Sequence, residues 1–294
     1  MRAASRAIAV AACIVALCAA GCSGPHNSVV VVSKNFTEQA ILGELLAQRI
    51  EQAHLPVERR FYLAGTFICQ QALLAGRADV YVEYTGTALT AVLKDPPMAG
   101  SAQVFERVRA EYARRWKLAV LPSLGFDNTF AVVVRGADAR RLSLSTLSQA
   151  ARYTPEWRLG VGYEFLERPD GYAGLVKTYG FTFREPPRSM DLGLLYRAIT
   201  ENQVDLIVGN STDGLIRALD LVALADDKHY FPPYDAVPIV REAALAQFPG
   251  LREALESLAG KITEDDMRRM NYAVDGEHRD TATVVRQFLS SKGL

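Results

Sequence analysis

Ala78-Asp-Val-Tyr-Val-Glu-Tyr-Thr-Gly-Thr87 decides the fold. Asp79 to Glu83 alternates as a strand does, and Thr85-Gly86-Thr87 opens a short helix over Ala88 to Leu93. A strand that enters a helix N-terminus through a glycine presents backbone N–H donors where an anionic group docks. Tyr84 stands at that corner, so a flat ring lies beside those donors. The combination suits a small ligand that carries both a cation and a carboxylate.

Upstream, the same pattern occurs twice. Val29-Val-Val-Val-Ser33 is a continuous β-branched run, which suits a strand covered on both faces. Thr37 reads as the N-cap of a helix that runs to about Ala53, with Glu38 in its first turn. Val57 to Leu63 is a second strand, and Ala64-Gly65-Thr66 opens a helix closed by Gly76 as a left-handed cap. Strand and helix alternate three times, the signature of a parallel α/β sheet. Ligands of such sheets bind at the carboxyl ends of strands, where Ser33 to Gln39, Gly65-Thr66 and Tyr84 to Thr87 all fall.

Downstream, Ser101 to Trp116 is an amphipathic helix, Ala119 to Leu124 is strand-like, and a strand runs from Phe130 to Arg135. A second α/β series follows. It has strands at Arg158 to Val161, Phe181 to Phe183, Val204 to Val208 and Leu221 to Leu224. Its helices fall near Ser145 to Ala151, then at Gly171 to Tyr179, Asp191 to Asn202 and Ser211 to Leu219. From Glu242 the chain reads as almost wholly helical. The expectation is two α/β lobes, each a mixed sheet flanked by helices: residues 29–129 and a mostly helical return over 234–294 form the first, and 130–233 the second. Two crossover strands would then join the lobes as a hinge, with the cleft between them as the site.

Composition bounds the rest. Hydrophobic residues make up 49% and charged ones 22%, as in a globular protein. Lys plus Arg and Asp plus Glu both total 33, which leaves no basic excess for nucleic acid. His26, His54, His229 and His278 are scattered without metal-ligand spacing, and no nucleophile elbow or complete dinucleotide loop is present. No catalytic residue, metal or cofactor is assigned. Arg2 and Arg6 precede an apolar run from Ala7 to Ala20, so residues 1–22 read as an export signal and 23–28 as a tether. Of four cysteines, Cys13 and Cys18 lie in that signal, and Cys69 sits in an apolar helical run as a core residue.

Seven segments, in this order and at these spacings, resemble one family. They are Ser33-Lys-Asn-Phe-Thr-Glu-Gln39, Gly65-Thr66, Glu83-Tyr-Thr-Gly-Thr87, Leu124-Gly-Phe-Asp-Asn-Thr-Phe130, Glu164-Phe-Leu-Glu-Arg-Pro-Asp-Gly171, Ser211-Thr-Asp-Gly214 and Asp226-Asp-Lys-His-Tyr-Phe-Pro-Pro-Tyr-Asp235. Together they resemble the substrate-binding subunits of osmoprotectant ABC importers, the glycine betaine, choline and proline betaine binding proteins of the ProX and OpuCC type. The resemblance spans Val29 to Leu294 and implies a two-lobed periplasmic-binding-protein fold of the second type. Ala19-Ala20-Gly21-Cys22 likewise resembles a lipobox, which implies a lipid on Cys22.

That resemblance implies an aromatic cage for a quaternary ammonium. Tyr84 and Tyr234 match two cage positions, Phe130 stands where a third Tyr is common, and Asn210 replaces the fourth ring. The ligand's polar end is expected at Gln39, Thr87 and Arg168, with Lys34 and Thr66 beside them, and Asn128 lines the cleft near the hinge. The chemistry fits, since a trimethylammonium has no N–H to donate and ring faces attract it, at about 0.5–2 kcal/mol each. Plainer roles stay open: Tyr84 as a packing ring, Arg168 paired with Asp170 or Glu167, Lys34 as a solvated turn residue, Asn210 as a cap.

The implied function is an extracytoplasmic, lipid-anchored or periplasmic monomer that passes a small osmolyte to an ABC permease by lobe closure. Two alternatives use the same scaffold: an amino-acid betaine as ligand, or a sensor lipoprotein that does not transport.

Overall fold

The computed structural model describes residues 27–294; the segment read as an export signal, Cys22 and residues 23–26 of the expected tether lie outside them. Two five-stranded sheets organise the chain, in the orders β2-β1-β3-β10-β4 and β7-β6-β8-β5-β9. The first is built from β1 (Val29–Lys34), β2 (Val57–Ala64), β3 (Val80–Tyr84), β4 (Leu118–Val120) and β10 (Ala236–Arg241). The second comprises β5 (Phe130–Arg135), β6 (Leu159–Val161), β7 (Arg188–Ser189), β8 (Leu206–Asn210) and β9 (Leu221–Leu224).

In the first sheet β1 runs parallel to β2 and β3, so all three carboxyl ends point to one side. Helices α1 (Thr37–Gln52), α2 (Thr66–Leu74) and α3 (Ser101–Trp116) cover its faces, joined by two helices from the end of the chain, Glu264–Asp275 and Thr281–Lys292. The β1 valines show why their run is unbroken. Val29 and Val31 pack against α1 and the C-terminal helices, while Val30 and Val32 pack on the opposite face with α2 and α3. Phe130–Arg135 does the same in the second sheet, with Val132 and Val134 on one face and Ala131 and Val133 on the other.

Several expectations shift. The first sheet is mixed, because β10 joins it antiparallel to both β3 and β4. The sequence reading did not single β10 out, since Pro238 interrupts a short apolar run. Thr37 is the first helical residue rather than the cap, and its hydroxyl donates to Asp275 (2.6 Å). No strand forms at Phe181 to Phe183, whose rings are used in core packing, and the edge strand is Arg188–Ser189 instead. The helix over Ser211 to Leu219 shortens to Leu215–Ala218, because the Asp213 carboxylate accepts from the Asn210 amide and holds a turn there. A helix at Gly136–Leu142 went unread, and the strand near Leu124 ends at Val120.

The chain passes between the sheets twice, after β4 and after β9. These crossovers lie side by side: Asn128 donates its amide to Tyr234 O (3.1 Å), and Ala236 donates to Phe126 O (3.1 Å). Among the described residues no helix is long and apolar enough to cross a membrane.

Candidate functional site

Between the lobes lies a cavity of about 280 Å³. The carboxyl ends of β1, β2 and β3 supply one wall through Lys34, Gly65, Tyr84 and Thr87. Lobe 2 supplies the other from the start of β5 (Phe130), the segment after β6 (Tyr163 to Arg168) and the end of β8 (Asn210). Asn128 and Tyr234 reach in from the two crossovers. Eight of the ten residues singled out from the sequence therefore line one cavity: Lys34, Tyr84, Thr87, Asn128, Phe130, Arg168, Asn210 and Tyr234.

Gln39 and Thr66 do not line it, which corrects their expected place beside the ligand. Gln39 is buried behind Tyr84, with no well-formed hydrogen bond to either amide atom. Thr66 is already engaged: its hydroxyl accepts from Lys34 Nζ (3.3 Å) and its amide donates to Glu164 Oε1 (2.9 Å). That last bond crosses the cleft. One of the three strand-to-helix corners where a ligand was expected, the α2 N-terminus, thus already holds a carboxylate of the opposite lobe.

Two cations face the cavity and each has its own carboxylate. Lys34 Nζ lies 2.5 Å from Glu83 Oε1 and 4.5 Å from the centre of the Tyr84 ring. Arg168 pairs through Nε and Nη2 with Asp170 (2.9 and 2.5 Å), and its remaining Nη1 donates to Thr87 Oγ1 across the cleft (2.9 Å). Its guanidinium lies 4.9 Å from the Phe130 ring centre and 5.7 Å from that of Tyr234. Burial opposes the Arg168 charge, but the Asp170 carboxylate more than offsets this and holds its pKa above the ordinary value. Asp170 is buried as well, yet the guanidinium and the Tyr234 hydroxyl keep its carboxyl below the usual range. The pairing of Arg168 with Asp170, one of the plain alternatives, is real, but it lies buried in the site and not at the surface.

The rings are more numerous than the sequence reading named. Phe36, Tyr163 and Phe165 also line the cavity. Phe130 sits at the centre of an aromatic cluster, edge-on to Phe165 (4.9 Å) and Tyr234 (5.6 Å) and tilted against Phe231 (5.4 Å). Phe36 and Phe165 stood inside recognised segments, so their position carried the signal. Asn210 pairs with Phe130 across β8 and β5 and faces the cavity without an aromatic neighbour of its own strand. Glu38 was missed altogether: buried behind Tyr84, it accepts that hydroxyl at 2.6 Å. Cys69 is free and buried, and burial pushes its thiol up to about 12.

Both lobes line the cavity. It offers ring faces and paired charges that can surround a small polar cation. Among the described residues no group of His, Cys, Asp and Glu is placed to hold a metal ion.

Comparison with known proteins agrees. Residues 27–291 match the family described as the substrate binding domain of ABC-type glycine betaine transport systems. A Helicobacter pylori protein named as an ergothioneine transport permease/ergothioneine binding protein is 34% identical over 92% of this chain, which spans 49% of that relative's length. The carnitine transport binding protein OpuCC of Listeria monocytogenes is 34% identical over 86% of this chain and 83% of its own. A crystal structure described as a glycine betaine/carnitine/choline ABC transporter superposes with a TM-score of 0.75 at 33% identity, covering 90% of this chain and 99% of that one.

Proposed function

The chain belongs to the family of substrate-binding domains of ABC-type glycine betaine transport systems, and from that premise we propose that it captures a small quaternary-ammonium solute between its lobes and delivers it to an ABC permease. Proteins of this family are extracytoplasmic binding proteins of transporters and not enzymes. The observation that carries the reading is the cavity itself, where Tyr84, Phe130 and Tyr234 converge from the first sheet, the second sheet and a crossover.

In this account the ammonium lies among those rings, and Thr87, Arg168, Lys34 and Asn128 meet the rest of the ligand. Lobe 1 comprises residues 29–129 and 234–294, and lobe 2 residues 130–233. Ligand bridges the two and favours the closed arrangement, in which Arg168 reaches Thr87. Residues 1–22 direct export, Cys22 carries a lipid, and the chain acts as a monomer held at the membrane.

A second ligand class has one observation in its favour. Asn210 offers an amide to the cavity where a further ring was expected. A bulkier amino-acid betaine could use that amide, and one relative is named for ergothioneine.

Thermal-shift titration of the full-length chain against choline, glycine betaine, carnitine and ergothioneine tests the reading. A ligand at about 100 times its dissociation constant adds about 2.7 kcal/mol of stability, which raises the melting temperature visibly. Tyr84→Ala is expected to weaken that ligand by roughly 3- to 30-fold, the worth of one ring. A folded chain that responds to none of the four would contradict the proposal.

A further inference from the structure

The wall of the cavity is held from behind by a carboxylate that does not itself line it. Glu38, in the first turn of α1, is 2% exposed and accepts hydrogen bonds from four separate parts of the chain. The Tyr84 hydroxyl (2.6 Å) and Asn128 Nδ2 (2.7 Å) donate to Oε1. Asn271 Nδ2 (2.9 Å) and the Thr212 hydroxyl donate to Oε2. Tyr84 belongs to the first sheet, Asn128 to a crossover, Thr212 to the loop that leaves β8 in lobe 2, and Asn271 to the helix Glu264–Asp275. Among the described residues no lysine, arginine or histidine pairs with Glu38; burial pushes its carboxyl above the ordinary value, and the hydrogen bonds from Thr212, Tyr84, Asn271 and Asn128 pull against that rise.

A buried carboxylate without a counter-ion is a costly way to fill space, and an apolar side chain would pack there at less expense. What a carboxylate alone supplies is about four acceptor sites and no donor, so it can orient four donors together. Each of those donors bears on the site. The bond to Tyr84 sets the ring's depth and tilt in the wall. The bond to Asn128 turns the amide so that its Oδ1 faces the Ser211 hydroxyl (3.5 Å) and the Thr212 amide (3.4 Å). Thr212 and Asn271 are further tied to each other, Asn271 Nδ2 donating to Thr212 O at 3.0 Å. This fixes the loop that begins at Asn210, the residue lining the cavity from lobe 2.

We infer that Glu38 is a positioning residue for the ligand site, aligning Tyr84, Asn128 and the Asn210 loop from one buried point that joins both lobes at the hinge. The inference rests on the quaternary-ammonium reading above. It adds a residue that never touches the ligand but sets the affinity for it.

Calorimetric titration of choline into the full-length chain and its variants tests this, with an unfolding curve recorded for each. Glu38→Gln places an amide N–H among four donors and should weaken choline binding about tenfold, the share one charge-assisted hydrogen bond carries. Thr212→Val, nearly isosteric and outside the cavity, removes one donor and should weaken binding about threefold with the fold intact; it serves where Glu38→Gln unfolds. Tyr84→Phe combined with Glu38→Gln should lose less than the two single losses together, because both act through one hydroxyl. A purely structural role would lower stability and leave affinity unchanged. Folded Glu38→Gln and Thr212→Val chains that bind choline as the wild type does would overturn the inference, as would additive losses. A wild-type chain that binds neither choline nor glycine betaine would instead overturn the reading beneath it.

Discussion

Gly65 shows how one missing side chain arranges the cleft. A Cβ there would lie 2.0 Å from Glu164 Oε1, so the bond from the Thr66 amide to that carboxylate forms only because position 65 is bare. Gly65→Ala should push the flexible Glu164 side chain aside and open this contact between the lobes. Since the backbone at Gly65 is extended (φ −77°), stability should change by less than about 0.5 kcal/mol. Ligand affinity should fall roughly 10- to 100-fold, the worth of a hydrogen bond to a charged group, as read by calorimetric titration. An unchanged affinity would show that the bond does not contribute to closure. At this scale the rings and Arg168 were legible because they fall in recognisable segments. Glu38 falls in such a segment too, but its role did not show: its partners stand at positions 84, 128, 212 and 271, and no local pattern brings those together. Thr66 was misjudged for the same reason, since its partner Glu164 comes from the other lobe.

The elements that matter most are the corner after β3 and the two crossovers. Gly86 packs against the second crossover, where a Cβ would meet Pro233 O at 2.7 Å and the Tyr234 ring at 2.6 Å. One of those contacts is backbone and cannot swing away. Gly86→Ala should therefore cost about 1–3 kcal/mol in urea unfolding and displace Tyr234; a neutral result would mean that the crossover yields at Pro233 without cost. In the first crossover, burial pushes the Asp127 carboxyl up to about 6, helped by the charges of Asp235 and Glu264 and opposed by the Tyr234 and Thr129 amides. The folded chain thus keeps this proton where the unfolded chain, at its ordinary value of 3.8, has released it. The contribution is fully present below that ordinary value and is lost as pH rises through about 6. Asp127→Asn removes it, so the wild type should lose stability relative to the variant between pH 4 and 7, by about 1–3 kcal/mol. Parallel stability curves for the two proteins across that range would contradict this. Strand and helix alternation was readable in the first lobe, where β1 to β3 are separated by helices of sixteen and nine residues. It was less so beyond Gly136, where β6, β7 and the helix Leu215–Ala218 are only two to four residues long and tertiary contacts decide them. The strand β10 escaped for a related reason: its partners β3 and β4 lie more than a hundred residues upstream.

For the whole molecule, two lobes of similar architecture meet over one lined cavity, and the chain crosses between them twice. Two of the bonds between the lobes, Thr66 to Glu164 and Arg168 to Thr87, lie at the cavity, while those joining Thr212 to Glu38 and Asn271 lie beside the first crossover. The two cations that face the cavity are balanced internally, Lys34 by Glu83 and Arg168 by Asp170. Where the cation sits decides whether the chain is a quaternary-ammonium clamp. The most direct measurement is a crystal structure of the chain with choline bound. The account predicts the quaternary nitrogen inside the cavity, within about 6 Å of the ring centres of Tyr84, Phe130 and Tyr234. Choline bound elsewhere, or held in the cavity with those three rings out of reach, would contradict it.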